Sequence, residues 1–531
     1  MSSTRRDFIG QVGLTSLYFG LGASFSKDFF LHSATALPRS TPAAQGVDAS
    51  RILSFIHAIQ QSKHEFHSFI LLRHGQVVAE GWWAPYAPDL RHTLYSMSKS
   101  FASTAVGFAV MEGKLKVSDP VVKFFPADLP ATISPELAKL TVKDLLTMSV
   151  GHELDTSQAM RTEENWVKAF LAFPFKHQPG TQFLYNSGAT YMCSAIVQKV
   201  TGQKIVDYLK PRLFDPLQIE GMDWETCPKG INVGGWGLRV KTEDLAKFGQ
   251  LFLQKGQWNG RQIVSREWVQ EATSFKIQQP APEKPSRPNA ENDWLQGYGY
   301  QFWRCRNNAY RGDGAFGQYT IVMPEQDAVL AITSESPNMQ GQLDLIWEHL
   351  LPAFAPASAS ISSVNQELQA TISSLALPLE KSPGQSAWIK KISKRKFQLE
   401  NNDLGLQSMR LSFSKGKCVV DLTGEKENYS IHCGLGSWKT GETTFPGNEL
   451  VVKPASRASG IRLKKIAANG YWKDENTFEM TWRYIESAPN DLVTCHFSTE
   501  GIKVAFVNSR VKLNPNNKDL RPELKGTQIL G

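Results

Sequence analysis

Ser96-Met97-Ser98-Lys99 sets a hydroxyl and an amine three positions apart, the smallest arrangement in this chain with covalent chemistry in it. A free serine hydroxyl is a poor nucleophile and needs a base beside it. On a helix, residues three apart share a face, so the Lys99 amine reaches the Ser96 oxygen. A lysine serves as that base once burial disfavours its charged form. The tetrad alone selects nothing, because six occur, beginning at Ser24, Ser96, Ser393, Ser412, Ser414 and Ser509. Only Ser96 heads a long apolar helical pattern, running through Val110 and stopped at Gly113. A helix N-terminus there would aim free N–H groups and partial positive charge at whatever reacts with Ser96. The chemistry this predicts is acyl transfer.

Such a pair must be positioned by a core. From Asp48 to Gln60 the apolar residues Ile52, Leu53, Ile56 and Ile59 recur at helical spacing, with Asp48 as cap. Phe69 to Leu72 and Val77 to Glu80 flank His74-Gly75 and predict a β-hairpin. Further helices are expected over 141–148, 166–173, 189–200 and 240–253, with Pro179-Gly180 as a turn before Phe183-Leu184-Tyr185. Four prolines between 277 and 292 read as a loop, and strands follow at 297–305, 309–311, 318–324 and 328–333. Helices framing a late antiparallel run predict an α/β core around one central sheet. The Ala-, Ser- and Pro-rich stretch from Pro352 to Ser363 places a boundary. Beyond one short helix (364–375), alternating segments separated by turn signals predict a small antiparallel barrel or sandwich.

The division is therefore 1–36, 37–355 and 356–531. Net charge is +8, with 31 basic and 31 acidic groups in 37–355 but 24 basic against 17 acidic in 356–531. A neutral first domain argues against nucleic acid as its substrate. The cluster Lys390, Lys391, Lys394, Arg395, Lys396 reads as a solvated face, with weak contact to anionic wall or membrane polymers as the alternative. Thr4-Arg5-Arg6-Asp7-Phe8-Ile9 before a mildly apolar stretch resembles a twin-arginine export signal, and Ala34-Thr35-Ala36 suits signal peptidase. An exported protein, periplasmic or extracellular, is expected, with an uncleaved membrane anchor as the alternative. The six cysteines (193, 227, 305, 418, 433, 495) have no CxxC spacing, and their pairing stays open. HExxH is absent and His64-Glu65-Phe66-His67 is the only close histidine pair, so neither metal nor cofactor is expected.

Between Asp48 and Phe354 the sequence resembles the serine β-lactamase and penicillin-binding-protein superfamily, most closely its class C-like branch. Beyond Ser96–Lys99 the resemblance rests on Leu145-Leu146-Thr147-Met148-Ser149-Val150-Gly151 and on Pro179 through Tyr185-Asn186-Ser187-Gly188. It rests also on Gly234-Gly235-Trp236-Gly237 leading to Thr242-Glu243-Asp244-Leu245-Ala246-Lys247-Phe248, and on Gly312-Asp313-Gly314-Ala315. It implies an antiparallel central sheet flanked by helices, with an all-helical subdomain. Tyr185 matches the tyrosine that exchanges protons with the serine oxygen and the leaving group. Gly312-Asp313-Gly314 stands at the third motif, which implies an oxyanion hole from the backbone N–H groups of Ser96 and Ala315. Ser187, Gly312, Asp313 and Gly314 become the implied substrate-binding positions. Lys439-Thr440-Gly441 spells the commoner third motif but lies in the C-terminal domain.

Two departures stand out. The second motif, commonly Tyr-x-Asn, ends in Ser187, and the third lacks its Lys or His. Both missing groups hold β-lactams in the family. The expected function is hydrolysis of an ester or amide through an acyl-enzyme on Ser96, with Lys99 and Tyr185 as base and acid. A D,D-peptidase or D-amino-acid amidase acting on peptidoglycan fragments is a second reading, and a catalytically silent wall-fragment-binding protein a third.

Overall fold

Continuous apolar runs, rather than alternating ones, mark strands covered on both faces, and the central sheet has that character. The computed structural model describes residues 36–355, 362–384, 386–446, 463–513 and 518–529. Its elements up to the sheet are α1 (Ala49–Gln61), β1 (Glu65–Arg73), β2 (Gln76–Trp82), β3 (Arg91–Thr93), α2 (Ser98–Met111), α3 (Ser187–Thr201), β4 (Leu238–Lys241) and α4 (Thr242–Leu253). They continue with β5 (Trp303–Arg304), β6 (Tyr310–Gly314), β7 (Gln318–Met323) and β8 (Ala328–Glu335). The sheet order is β2-β1-β8-β7-β6-β5, antiparallel throughout. Along β1, Phe66, Phe69 and Leu71 join the apolar cluster of α1, while Ile70 and Leu72 join that of α2 and α4. Between Val121 and Leu209 lie helices and no strand, the helical subdomain.

Asp48 caps α1 by accepting from Ser50 N–H, as its position implies. Helix α2 is buried on nearly all sides, and its small residues let neighbours close in. At Gly107 a Cβ would lie 2.5 Å from Trp268 Nε1, so only glycine fits beneath that indole.

Three expectations need correction. Ser96 does not open the helix: Tyr95–Met97 forms a 3-10 turn and α2 begins at Ser98. The helix expected over 240–253 begins at Thr242, because Leu238–Lys241 is a strand pairing with β3. Of the strand expected over 297–305, only Trp303–Arg304 pairs as one, since Gly297 and Gln301 take left-handed backbone (φ 103° and 65°) that breaks an extended run.

The C-terminal part is a barrel. Its strands are β9 (Lys396–Leu399), β10 (Leu406–Ser414), β11 (Lys417–Gly424), β12 (Asn428–Leu435), β13 (Lys439–Thr443), β14 (Lys464–Trp472), β15 (Thr477–Tyr484), β16 (Asn490–Ser498), β17 (Gly501–Asn508) and β18 (Leu524–Gln528). Parallel pairing of Cys433–Leu435 with Ala468–Gly470 closes the ring of β9–β12 and β14–β18, which removes its open edges. Trp472, Phe478, Met480, Trp482 and Phe497 fill it. All six cysteines are buried and free.

Leu37–Gly531 is one compact unit, and the segment read as an export signal lies outside the described residues but for Ala36. Within the unit the barrel is bonded to the first domain. Arg483 forks onto Glu65 at 2.5 and 2.8 Å, and Glu335 accepts from Asn490 and Ser509. No described helix is long and apolar enough to cross a membrane.

Candidate active site

Three elements bring the sequence-derived residues together. The Tyr95–Met97 turn presents Ser96, half-buried. Lys99, on the first turn of α2, is 1% exposed, and its Nζ lies 3.0 Å from Ser96 Oγ, 3.1 Å from Ser187 Oγ and 2.7 Å from the Gly235 carbonyl. Burial pushes the Lys99 amine down to about 7, against the pull of Asp155 and Asp313 toward the charged form. A neutral amine has two N–H groups and one lone pair. The Gly235 carbonyl can only accept, and Ser187 Oγ can take the second N–H. The lone pair then faces the Ser96 hydroxyl, the geometry a general base needs.

Tyr185 approaches from the other side. Burial pushes its phenol's pKa well above the ordinary value, and the neighbouring Ser96 hydroxyl opposes that rise. The ring stacks on Trp303 (centroids 5.6 Å, 28°), and Lys99 Nζ sits 4.8 Å from its centroid. In Tyr185-Asn186-Ser187, each residue has a separate task. Asn186 is wholly buried and caps α3, accepting from Gly188 and Ala189 N–H at 3.0 and 3.3 Å. Ser187 then enters the helix with its hydroxyl on Lys99. Ser187, expected to contact substrate, thus also meets the amine.

The third motif lies on β6. A Cβ on Gly312 would fall 2.1 Å from Met97 Sδ, and one on Gly314 would fall 2.1 Å from the Leu94 carbonyl and 3.1 Å from Met97 N. Glycine at both positions is what lets β6 lie directly on the turn that carries Ser96. Ala315 follows at the exposed end of that strand. Asp313 is bonded to buried Arg311 (Nε to Oδ2, 2.8 Å), while burial pushes its carboxyl up and Arg311 opposes that.

Asp155 was not singled out from sequence. It accepts from Ser187 N–H at 3.0 Å and Ser157 N–H at 2.9 Å, tying the 151–160 loop to the start of α3. Gly235 stands in a quoted motif, yet its part is played by a carbonyl that no side-chain pattern reveals.

The remaining candidates lie elsewhere. His64 Nδ1 bonds Ser336 Oγ at 2.6 Å, whereas His67 is buried between Glu65 and His92. No group of three or more metal-ligating side chains occurs among the described residues. Lys439-Thr440-Gly441 is an exposed barrel strand, and the Lys390–Lys396 cluster lies at the entry to the barrel, with Lys391 over the Trp388 ring.

A family model described as Beta-lactamase matches residues 61–351. The 6-aminohexanoate-dimer hydrolase of Paenarthrobacter ureafaciens is 26% identical over 321 residues, covering 56% of this chain and 80% of the relative. The beta-lactamase of Escherichia coli K12 is 23% identical over 329 residues, covering 50% of this chain and 81% of the relative. Among solved structures, the octameric penicillin-binding protein homologue from Pyrococcus abyssi aligns with a TM-score of 0.47 at 16% identity, over 86% of this chain and 98% of that one.

Proposed function

The chain belongs to the beta-lactamase family of serine hydrolases, and from that premise we propose that it cleaves an ester or amide through an acyl-enzyme on Ser96. The observation that carries this is the buried Lys99 amine at 3.0 Å from Ser96 Oγ, with its other contacts already assigned. Lys99 takes the Ser96 proton as the oxygen attacks the substrate carbonyl. The resulting oxyanion is held by the Ser96 and Ala315 N–H groups, each such donor being worth about 3 kcal/mol of barrier. Tyr185, neutral because its pKa is raised, gives its proton to the departing alcohol or amine and regains one from Lys99. Water then attacks the acyl ester by the same route in reverse.

Substrate choice follows from what the site cannot hold. Ser187 is committed to Lys99, and Gly312 has no room for a basic side chain against Met97. Arg311 is committed to Asp313 and the Asp293 carbonyl, and Arg306 to Asp293 and Asp344. The cations nearest the third motif therefore cannot replace its missing lysine. Two lost contacts at about 1.5–3 kcal/mol each weaken the transition state for a carboxylate-bearing β-lactam. A simple ester needs only nucleophile, proton relay and oxyanion hole. Short-chain p-nitrophenyl esters are expected to turn over measurably and nitrocefin poorly, with Ser96→Ala as blank. Nitrocefin kcat/KM tenfold or more above the ester's would overturn this substrate reading.

The reading includes export to the periplasm or beyond, supported by Arg5-Arg6 and by the start of the folded unit. The Leu37 backbone N lies 2.6 Å from Glu243 Oε1, so a chain cut after Ala36 would set its α-ammonium against a carboxylate. Arg5→Lys with Arg6→Lys is expected to leave precursor in the cytoplasm, and N-terminal sequencing of exported protein to begin at Leu37. A start near Met1 in a membrane fraction would favour an anchor instead.

A further inference from the structure

The turn between β15 and β16, residues 485–489, leaves the barrel and docks on the strand that delivers the nucleophile. The Glu486 carbonyl accepts from Thr93 N–H at 2.9 Å and from the Thr93 hydroxyl at 3.1 Å. Its carboxylate, 6% exposed, receives Arg91 Nε at 3.2 Å from β3 and Arg239 Nη1 at 2.8 Å from β4, the strand paired with β3. Ser487 Oγ lies 3.0 Å from the Tyr95 hydroxyl, and its carbonyl accepts from Tyr86. Thus the barrel is bonded to the residues one and three positions before Ser96.

Tyr95 is the critical link. Its backbone is left-handed (φ 48°), a conformation that an L-residue keeps only where neighbours over-determine it. Its ring meets Phe316 edge-on at 5.1 Å and 79°, and Phe316, left-handed too (φ 69°), directly follows Ala315. One side chain therefore touches the barrel at its tip, the residue after Ala315 at its ring, and Ser96 through the chain.

We propose that the Glu486–Ser487 turn is a positioning element of the active site: through Tyr95 it sets the Ser96 oxygen and the Ala315 N–H relative to each other. The barrel then serves turnover itself, in addition to any attachment its basic edge provides. This rests on the reading of Ser96 as nucleophile and Ala315 as oxyanion donor.

The test uses the full-length protein with Tyr95→Phe, which keeps the ring and loses the hydroxyl, Ser487→Ala, their double variant, and Ser487→Thr as the conservative control. Readouts are kcat and KM for p-nitrophenyl butyrate, the fluorophosphonate labelling rate, and melting temperature. A misplacement of reacting groups by a fraction of an ångström predicts a fall in kcat and labelling of about ten- to a hundredfold, with KM within about twofold. The double variant is expected to be no worse than the more impaired single one, since both remove one interaction, and Ser487→Thr to retain activity. Tyr95→Phe and Ser487→Ala proteins that melt like the wild type and keep kcat within twofold would overturn the proposal, as would losses that simply multiply in the double variant. Failure of the parent reading looks different: the unaltered protein would then hydrolyse the ester no faster than Ser96→Ala.

Discussion

Full-length Ser96→Ala protein is expected to take up no fluorophosphonate and to lose ester turnover by a factor of about a thousand or more, the scale on which removing a serine nucleophile acts. The size follows from the geometry. In the proposed mechanism Lys99, whose pKa burial lowers to about 7, is the base beside Ser96, so the hydroxyl is activated without any further group. The competing tetrads at Ser393, Ser412 and Ser414, which lie among the described residues, lack that arrangement. Lys396, Lys415 and Lys417, which complete those at Ser393, Ser412 and Ser414, are exposed on the barrel. The hydroxyls of Ser393 and Ser509 are engaged with the Phe413 backbone and with Glu335. Peptide mapping of labelled wild-type protein should find the adduct on Ser96. Adduct on Ser393 or Ser412, or labelling that persists in Ser96→Ala, would sink the assignment of the nucleophile.

Local pattern carried much of this. The Ser96–Lys99 spacing, the apolar helix behind it and the turn before Tyr185 are short-range features, and the structure brings those three side chains together. The barrel was legible as alternation between turn signals. What the sequence concealed is set by partners far along the chain. Tyr95 takes left-handed backbone where its side chain meets Phe316 and Ser487, and Ser96 sits on a 3-10 turn rather than on the helix proper. Val240 and Lys241 read as the start of a helical pattern because the strand they end owes its extension to β3, about 150 residues earlier. Position 187 looked like a shortened substrate contact, since nothing local says that its hydroxyl meets Lys99. The Ala-, Ser- and Pro-rich stretch from Pro352 to Ser363 marks a boundary in the sequence between 37–355 and 356–531. No local pattern marks Glu486, on which Arg239 and Arg91 close in the fold, and with that contact the separability of the barrel becomes a question about catalysis.

Lys99 gives the second large effect, and with a sign. As a base it works only when neutral, so ester kcat/KM and the labelling rate should rise about tenfold per pH unit below pH 7 and level off above it, the behaviour of a single essential base. Lys99→Ala should lower the plateau by about a hundred- to ten-thousandfold and remove the inflection, the range of a general base. Arginine should fail equally, because its charge cannot be shed. Stability should also rise with pH, but over a higher interval. Burial depresses the folded-state pKa from 10.5 to about 7, so the unfolded chain holds the proton throughout that interval while the folded one has lost it. Wherever the unfolded state binds more protons, stability rises with pH. The destabilisation by Lys99 is therefore complete below pH 7 and gone by about pH 10.5. Lys99→Met, which fills the same volume without charge, should accordingly raise the melting temperature more at pH 6 than at pH 10 while destroying activity. A stabilisation that is flat with pH would show that the amine titrates normally in the fold. With that, the case for Lys99 as the base would fall, even if Ser96 remained the labelled residue.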